Sequence, residues 1–217
     1  MRIYIDSADI EEIKEALALG YVYGVTTNPT LLRRANVRAS AVPDLVRHSV
    51  EHGAKELHLQ TYSDDMAGIL REAEILAKLD ADRVVVKIPA TPTGYCAASQ
   101  LAAQGLRVTL TAVYTLRQVI LAHAVGARYI AVYLGRMRDS GVDAFELVGK
   151  MERVLTEQAS LLEILAASVR APEEIEALAE LGVATATLPL KVLRQLPDSE
   201  HTSAAAKIFF EDAKAIQ

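Results

Sequence analysis

The feature that most constrains the fold is a regular alternation of short apolar runs with longer amphipathic stretches along all 217 residues. Eight runs have the length and composition of β-strands, and almost every one precedes a stretch of helical periodicity. Such alternation predicts a parallel sheet with right-handed crossovers. The predicted strands are Arg2–Ile5, Gly24–Thr27, Glu56–Leu59, Val84–Ile88, Arg107–Val113, Tyr129–Leu134, Ile164–Val169 and Ala184–Pro189.

Eight such units without an added β-hairpin favour a closed α/β barrel, a single-domain (β/α)8 TIM barrel over residues 1–217. Ala, Val, Ile and Leu carry the predicted core, as parallel strands covered by helices require. A final helix at about residues 200–217 exceeds the eight units, and it carries Phe209 and Phe210. We expect this pair to pack either on a neighbouring subunit or on its own barrel.

Charge and apolar run lengths narrow the protein's environment. The net charge of -5 argues against a general nucleic-acid surface. No run approaches the roughly 18 apolar residues of a membrane span, and the first residues lack a signal-like apolar stretch. Cys96 is the only cysteine, which fits a reducing compartment, and we expect it to be a small apolar filler in a helix. These features predict a cytoplasmic protein without membrane contact.

Polar side chains recur where the predicted strands end. In a β/α barrel the carboxyl ends of all strands meet at one mouth, where catalytic groups lie. Each of the eight strands ends in groups able to form hydrogen bonds, which predicts a polar site at the mouth. These residues are Asp6, Thr26, Asn28, Gln60, Lys87, Thr111, Tyr133, Arg136, Ser168, Arg170 and Thr187.

Lys87 is the most informative strand-end residue. It follows Val84–Val86 and precedes Ile88 and Pro89, a context in which lysine is rare without a purpose. Burial disfavours the ammonium form, and a free amine attacks a ketone to form an imine that withdraws electrons. The alternative is a lysine that extends to the rim or pairs with Asp6.

Two residues near the first strands have structural alternatives. Asp6 is a candidate helix N-cap, but Ser7 or Asp9 suits that position and leaves Asp6 free to face the mouth. Asn28 precedes Pro29, which is ordinary turn chemistry as well as a candidate binding position.

Later in the chain, Arg136 and Arg170 lie near Ser168 and follow the sixth and seventh strands. Arginine forks bind phosphate oxygens, and barrel phosphate sites often use late loops. We therefore predict a phosphate site, with solvated arginines as the alternative. His48 and His52 are spaced i,i+4 but lack further ligands, so no metal site is expected.

Six stretches match motifs of a known family, in order along the chain: Ile5–Ala8, Gly24–Thr30, Val86–Pro89, Thr111–Tyr114, Tyr133–Arg136 and Ala166–Ser168. On these stretches the chain resembles the small transaldolase and fructose-6-phosphate aldolase family over essentially its whole length. The family fold is an eight-stranded β/α barrel whose Schiff-base lysine lies on strand four, where Lys87 falls. The resemblance implies a ring-shaped homo-pentamer or homo-decamer in which C-terminal helices reach onto neighbours.

Two positions suggest which activity within the family applies. Gln60 stands where transaldolases typically have Glu, and Tyr133 stands where they typically have Phe, so both resemble the aldolases. Gly135 instead resembles the transaldolase loop, and the pair Arg33 and Arg34 is unusual for the family.

The resemblance implies a reaction in which Lys87 forms an imine with dihydroxyacetone or a sugar phosphate, so no metal or organic cofactor is expected. Gln60, Thr111 and Tyr133 would hold a water that moves the reacting proton. Asp6, Thr26 and Asn28 would bind and orient the substrate, and Arg136, Ser168 and Arg170 would bind phosphate. The expected activity is aldol cleavage of the fructose-6-phosphate aldolase type. Transaldolase activity is the alternative, followed by a non-catalytic sugar-phosphate-binding barrel.

Overall fold

The structure, a computed structural model that describes residues 1–216, is a closed barrel of eight parallel strands surrounded by helices. Strand order follows the sequence, and the first strand closes the barrel by pairing with the eighth. The predicted fold is therefore confirmed. The strands are β1 (Arg2–Asp6), β2 (Val22–Thr26), β3 (Glu56–Gln60), β4 (Val84–Pro89), β5 (Val108–Val113), β6 (Tyr129–Tyr133), β7 (Glu163–Ala167) and β8 (Thr185–Leu188).

The helices begin at residues suited to helix starts. Proline occupies the first turn of the helices at Pro29, Pro92 and Pro172, where its missing N–H is harmless. A short 3-10 turn covers Ala39–Ala41. The α-helices are α1 (Ile10–Ala18), α2 (Pro29–Arg34), α3 (Val42–Glu51), α4 (Met66–Ala77), α5 (Pro92–Ala103), α6 (Leu116–Ala124), α7 (Leu134–Asp139), α8 (Ala144–Glu157), α9 (Pro172–Glu180), α10 (Leu190–Gln195) and α11 (Glu200–Ala215).

The main apolar core lies between the strands and the helices, whereas the inside of the barrel is largely polar. Ile5 packs in the large cluster of Val, Ile, Leu and Ala side chains. Tyr4 belongs instead to a small separate cluster with Ala131 and Leu165. Because side chains alternate between the two faces of a strand, Asp6 shares the inner face with Tyr4. The same alternation brings the polar strand-end residues into the barrel mouth.

Several details differ from expectation, and each strand begins or ends one or two residues away from its predicted bounds. Strand β6 ends at Tyr133, one residue earlier than predicted, because Leu134 begins the short helix α7, which was not predicted. Cys96 lies in α5 but is exposed, so its prediction as a core filler was wrong. Helix α11 has no buried residue. Gln217, the last residue of the predicted C-terminal helix, lies outside the described residues.

Among residues 1–216, no helix combines the length and the apolar character that crossing a membrane requires.

Candidate active site

A cavity of about 190 Å³ opens at the carboxyl ends of the strands. Thr30, Leu31 and Ala167 form part of its wall. The structure brings most of the predicted strand-end residues together at this cavity, although they are far apart in sequence. Those that line it are Asp6, Asn28, Lys87, Tyr133, Arg136 and Ser168.

Lys87 lies in β4 with only 2% of its surface exposed. Its neighbours in register are Gln60 on β3 and Thr109 on β5. The Nζ atom donates a long hydrogen bond of 3.4 Å to the carbonyl oxygen of Thr27 and forms no ion pair within the described chain. The amine is therefore buried, lightly held and open to the cavity.

Asp6 is held in the cavity by a chain of hydroxyl groups. The Thr26 hydroxyl donates to Asp6 Oδ1 at 2.7 Å, and the Thr26 and Thr187 hydroxyl oxygens are also 2.7 Å apart. Because the single hydroxyl proton of Thr26 goes to Asp6, Thr187 is the donor in the second bond. Asp9 caps helix α1 by accepting from Glu11 N and Glu12 N. As expected, Asp6 is thus not needed as a cap.

Asn28 combines the two alternatives that its sequence context left open. Its Oδ1 accepts from Leu31 N at 3.1 Å, which caps helix α2. The amide nitrogen of the same side chain remains available at the cavity wall. The cap fixes the orientation of the amide, so its donor group is positioned for a substrate oxygen.

Thr111 and Tyr133 form a hydroxyl pair beside the cavity, with 3.2 Å between Thr111 Oγ1 and Tyr133 Oη. Ala112, directly after Thr111, has a φ of 61°, and the pairing of β5 with β6 is irregular there. A left-handed conformation costs a non-glycine residue of order 1–3 kcal/mol, and such strain concentrates at functional sites. The irregularity aims Thr111 at Tyr133.

Ser168 has the same left-handed backbone, with a φ of 61°, and it approaches α7 closely. Gly135 N donates to the carbonyl oxygen of Ser168 at 3.2 Å. A Cβ atom at Gly135 would lie 2.4 Å from that oxygen and 2.8 Å from Ser168 Oγ. Glycine at position 135 is therefore what allows α7 to pack against the loop after β7.

Five of the predicted strand-end residues do not line the cavity: Thr26, Gln60, Thr111, Arg170 and Thr187. The guanidinium of Arg170 donates two hydrogen bonds, of 2.7 and 2.6 Å, to the carboxylate of Asp139. These bonds raise the pKa of Arg170 and lower that of Asp139. Gln60 lies beside Lys87 in register but outside the cavity wall.

Arg34 lines the cavity and was not predicted as a site residue. The pair Arg33 and Arg34 stood out in the sequence, but helical periodicity alone does not tell which of two adjacent arginines faces the mouth. Arg33 lines a separate cleft with Tyr62 and Arg38.

A buried polar network inside the barrel was also missed. His58 is fully buried, with Nδ1 2.7 Å from Thr109 Oγ1 and Nε2 3.1 Å from Glu56 Oε1. Glu56 also accepts hydrogen bonds from Tyr4 Oη at 2.8 Å and Arg107 Nη1 at 2.7 Å. The sequence feature that could have revealed this network is the alternation of Glu56, His58 and Gln60 along β3, which places all three on the inner face of the barrel.

The pKa values of this network follow from burial and hydrogen bonding. Burial lowers the pKa of His58, and Glu56 opposes that shift only in part. Burial alone would raise the pKa of Glu56, but hydrogen bonds from His58 and Tyr4 lower it to about 2. A neutral His58 ring therefore donates from Nε2 to a charged Glu56 and accepts at Nδ1 from the Thr109 hydroxyl.

In residues 1–216, no three His, Cys, Asp or Glu side chains cluster closely enough to hold a metal ion.

Comparison with known proteins assigns the family. The sequence matches the family described as "Transaldolase/Fructose-6-phosphate aldolase" over residues 3–217. The chain belongs to the transaldolase/fructose-6-phosphate aldolase family. The family resemblance noted in the sequence is thereby confirmed.

Relatives of this family member align along their full length. A protein of Pelotomaculum thermopropionicum named "Probable transaldolase" is 36% identical over 217 residues, which cover 100% of this chain and 99% of the relative. A protein of Geobacillus kaustophilus with the same name is 35% identical over 212 residues, which cover 98% of this chain and 98% of the relative. One of Dehalococcoides mccartyi, also so named, is 34% identical, with both chains covered completely.

A solved structure of a mandelate oxidase shares the fold, with a TM-score of 0.62 at 15% identity. The match covers 88% of this chain and 66% of that one.

Proposed function

We propose that this family member is a Schiff-base aldolase of the fructose-6-phosphate aldolase type. It would reversibly join or separate a dihydroxyacetone unit and an aldehyde such as glyceraldehyde 3-phosphate. The observation that carries the proposal is the Lys87 amine, which is 2% exposed, lightly hydrogen-bonded and open to a polar cavity. A buried amine of this kind is suited to nucleophilic attack on a ketone.

In the first step the Lys87 amine attacks the ketone carbon of the ketose, and loss of water leaves a protonated imine. Asp6 and Asn28 lie on the same cavity wall and would bind the hydroxyl groups next to that carbon. Thr26 and Thr187 hold the carboxylate of Asp6 in position for this contact.

In the second step the bond between the third and fourth ketose carbons breaks. Its electron pair moves toward the imine and forms an enamine, while the hydroxyl on the fourth carbon loses its proton and becomes the aldehyde. Thr111 and Tyr133, 3.2 Å apart, would hold the water that accepts this proton, together with Gln60. Positioned proton transfer of this kind contributes about 10²–10⁴-fold. Protonation of the enamine and hydrolysis of the imine then release dihydroxyacetone.

Gln60 and Tyr133 support the aldolase assignment, because both resemble the aldolases rather than the transaldolases. Transaldolase is the second candidate, supported by the names of the relatives and by Gly135. The two activities share the imine and differ in its fate. Water releases dihydroxyacetone in one, and an acceptor aldehyde captures the three-carbon unit in the other.

Two measurements test the proposal. Borohydride reduction with dihydroxyacetone or fructose 6-phosphate, followed by peptide mass mapping, should give an adduct on Lys87. Fructose 6-phosphate alone should yield free dihydroxyacetone, and turnover only after erythrose 4-phosphate is added would assign transaldolase instead. Thermal stabilisation by sugar phosphates without any adduct would point to a non-catalytic binding barrel.

We also propose that the protein forms a ring-shaped homo-pentamer or homo-decamer through α11. In the single chain Phe209 and Phe210 are 67% and 68% exposed, so they do not pack on their own barrel. Ile208 beside them is also largely exposed. A helix with no buried residue gains little stability within one chain, and a second copy of the chain would cover its aromatic side chains.

A further inference from the structure

Arg34, Arg136 and Arg170 lie near the cavity mouth, and they differ in whether a carboxylate binds the guanidinium group. Arg170 donates two hydrogen bonds to the carboxylate of Asp139, which offsets its charge, and it does not line the cavity. Arg34 and Arg136 line the cavity, and within residues 1–216 neither guanidinium forms an ion pair. The cationic groups available to a ligand are therefore Arg34 and Arg136.

Arg136 is oriented by an aromatic contact and lies close to Ser168. Its guanidinium carbon is 4.6 Å from the centre of the Tyr133 ring. That stacking leaves the edge of the guanidinium, which carries the N–H donors, free for an anion. Ser168 lines the same cavity and contributes a hydroxyl group.

Arg34 reaches the same region from the other side. It is the last residue of α2, yet it also lines a small cleft with Asp6 and with Pro189, which follows β8. Arg34 therefore borders the region between the ends of β1 and β8. Arg34 follows β2 and Arg136 follows β6, and both line the cavity that Ser168 also lines.

Arg33 offers a natural comparison. Both arginines lie in the last turn of α2, where the helix dipole favours cations, and both are exposed. The helix dipole favours a cation equally at position 33 and at position 34. It therefore does not explain why Arg34 lines the cavity and Arg33 does not. Arg33 turns toward the cleft of Tyr62 and Arg38.

We propose that Arg34 determines specificity for phosphorylated substrates, by binding one phosphate group together with Arg136 and Ser168. Two guanidinium forks and a hydroxyl match the three terminal oxygens of a phosphate monoester. The kinetic test of this inference rests on the proposed aldolase function.

Asp6 provides the competing explanation for Arg34. The carboxylate of Asp6 shares the cavity, and an unliganded Arg34 would be attracted to it. If Arg34 served only to position Asp6, its removal would impair all substrates alike, with or without phosphate.

The test compares two acceptors in synthesis with dihydroxyacetone, glyceraldehyde 3-phosphate and glyceraldehyde. Arg34→Ala should raise KM for the phosphorylated aldehyde about tenfold or more, the usual scale for a lost charge-assisted hydrogen bond. The KM for glyceraldehyde should change less than about twofold. Arg34→Lys should restore part of the loss, because lysine keeps the charge but not the fork. Arg33→Ala is the matched control and should behave like wild type.

Equal losses for both aldehydes in Arg34→Ala, or equal effects of Arg33→Ala and Arg34→Ala, would overturn the proposal. Calorimetric binding of inorganic phosphate provides a readout that does not need catalysis, and Arg34→Ala should weaken it about tenfold or more. Unchanged phosphate affinity would also overturn the proposal. Borohydride trapping of dihydroxyacetone on Lys87 tests the proposed function separately, so failure of either can be distinguished.

Discussion

The Nζ atom of Lys87 lies 3.4 Å from the carbonyl oxygen of Thr27, a long hydrogen bond for an amine that is only 2% exposed. Burial removes the amine from water, and one long bond to a neutral acceptor compensates poorly for the lost hydration. The position of Lys87 therefore costs stability, as is common for groups kept for chemistry.

Replacement of Lys87 by Met should abolish both turnover and borohydride-trapped adduct, yet leave the barrel at least as stable. Met is similar in length and has no charge to desolvate, so the free energy of unfolding should stay equal or rise by about 1–2 kcal/mol. Denaturant unfolding and mass mapping measure the two effects. Lys191→Met, at an exposed position in α10, is the control and should retain the adduct. A strongly destabilised Lys87→Met would contradict this account.

Replacement of Tyr133 by Phe should separate imine formation from bond cleavage. The Tyr133 hydroxyl is 3.2 Å from Thr111 Oγ1, and its loss removes one of the groups proposed to hold the proton-accepting water. We expect kcat for fructose 6-phosphate cleavage to fall about 10²–10⁴-fold, while borohydride still traps dihydroxyacetone on Lys87.

Tyr114→Phe is the matched control for that variant. The Tyr114 ring packs edge-on against Tyr133, with 5.7 Å between centroids, and its hydroxyl group is not assigned to the proton transfer. It should change kcat little. The double variant Thr111→Val/Tyr133→Phe should have a kcat hardly lower than that of the slower single variant, because the effects of residues that act as a unit do not add. Additive losses would show that Thr111 and Tyr133 act independently.

The barrel and most of its mouth could be predicted because both follow from periodic patterns. Strand–helix alternation reports which faces are buried, and parallel strands bring their carboxyl ends to one edge. Asp6, Asn28, Lys87, Tyr133, Arg136 and Ser168 were found this way, and all line one cavity.

The features that were missed depend on tertiary contacts between side chains. Arg170 was predicted at the phosphate site, but Asp139, 31 residues away in sequence, engages its guanidinium. The assignment of Arg34 rather than Arg33 to the cavity depends on the rotation of a six-residue helix. Helix α7 depends on the close approach of Gly135 to Ser168. Local sequence patterns contain none of this information.

The buried pair of His58 and Glu56 should make stability depend on pH. Burial lowers the pKa of His58 in the folded protein, whereas in the unfolded chain it is about 6.5. The unfolded state therefore binds the proton first as pH falls. The stabilisation is complete above about pH 6.5 and declines below it, with a slope of at most about 1.4 kcal/mol per pH unit.

Glu56 adds a second acid-sensitive contribution at lower pH. Its folded pKa of about 2 lies below the ordinary value, so its stabilisation is lost as pH falls from about 4.5 toward 2. Urea unfolding between pH 7.5 and 5 isolates the His58 effect. His58→Gln should flatten that slope, whereas His123→Gln, at an exposed position, should leave it unchanged. A wild-type slope that survives in His58→Gln would contradict the assignment.

Substitution of Phe209 and Phe210 by Ser should weaken self-association without unfolding the barrel. Both side chains are about two-thirds exposed in the single chain, at 67% and 68%, so their loss should change the free energy of unfolding of one subunit by about 0.5 kcal/mol or less. In an assembly each would bury an aromatic side chain, with a contribution of about 1.5–3 kcal/mol. Light scattering should therefore give the mass of a pentamer or decamer for wild type and a smaller mass for the double variant. Leu161→Ser, which removes another exposed apolar side chain, should leave the ring intact, and a wild-type monomer at micromolar concentration would refute the assembly.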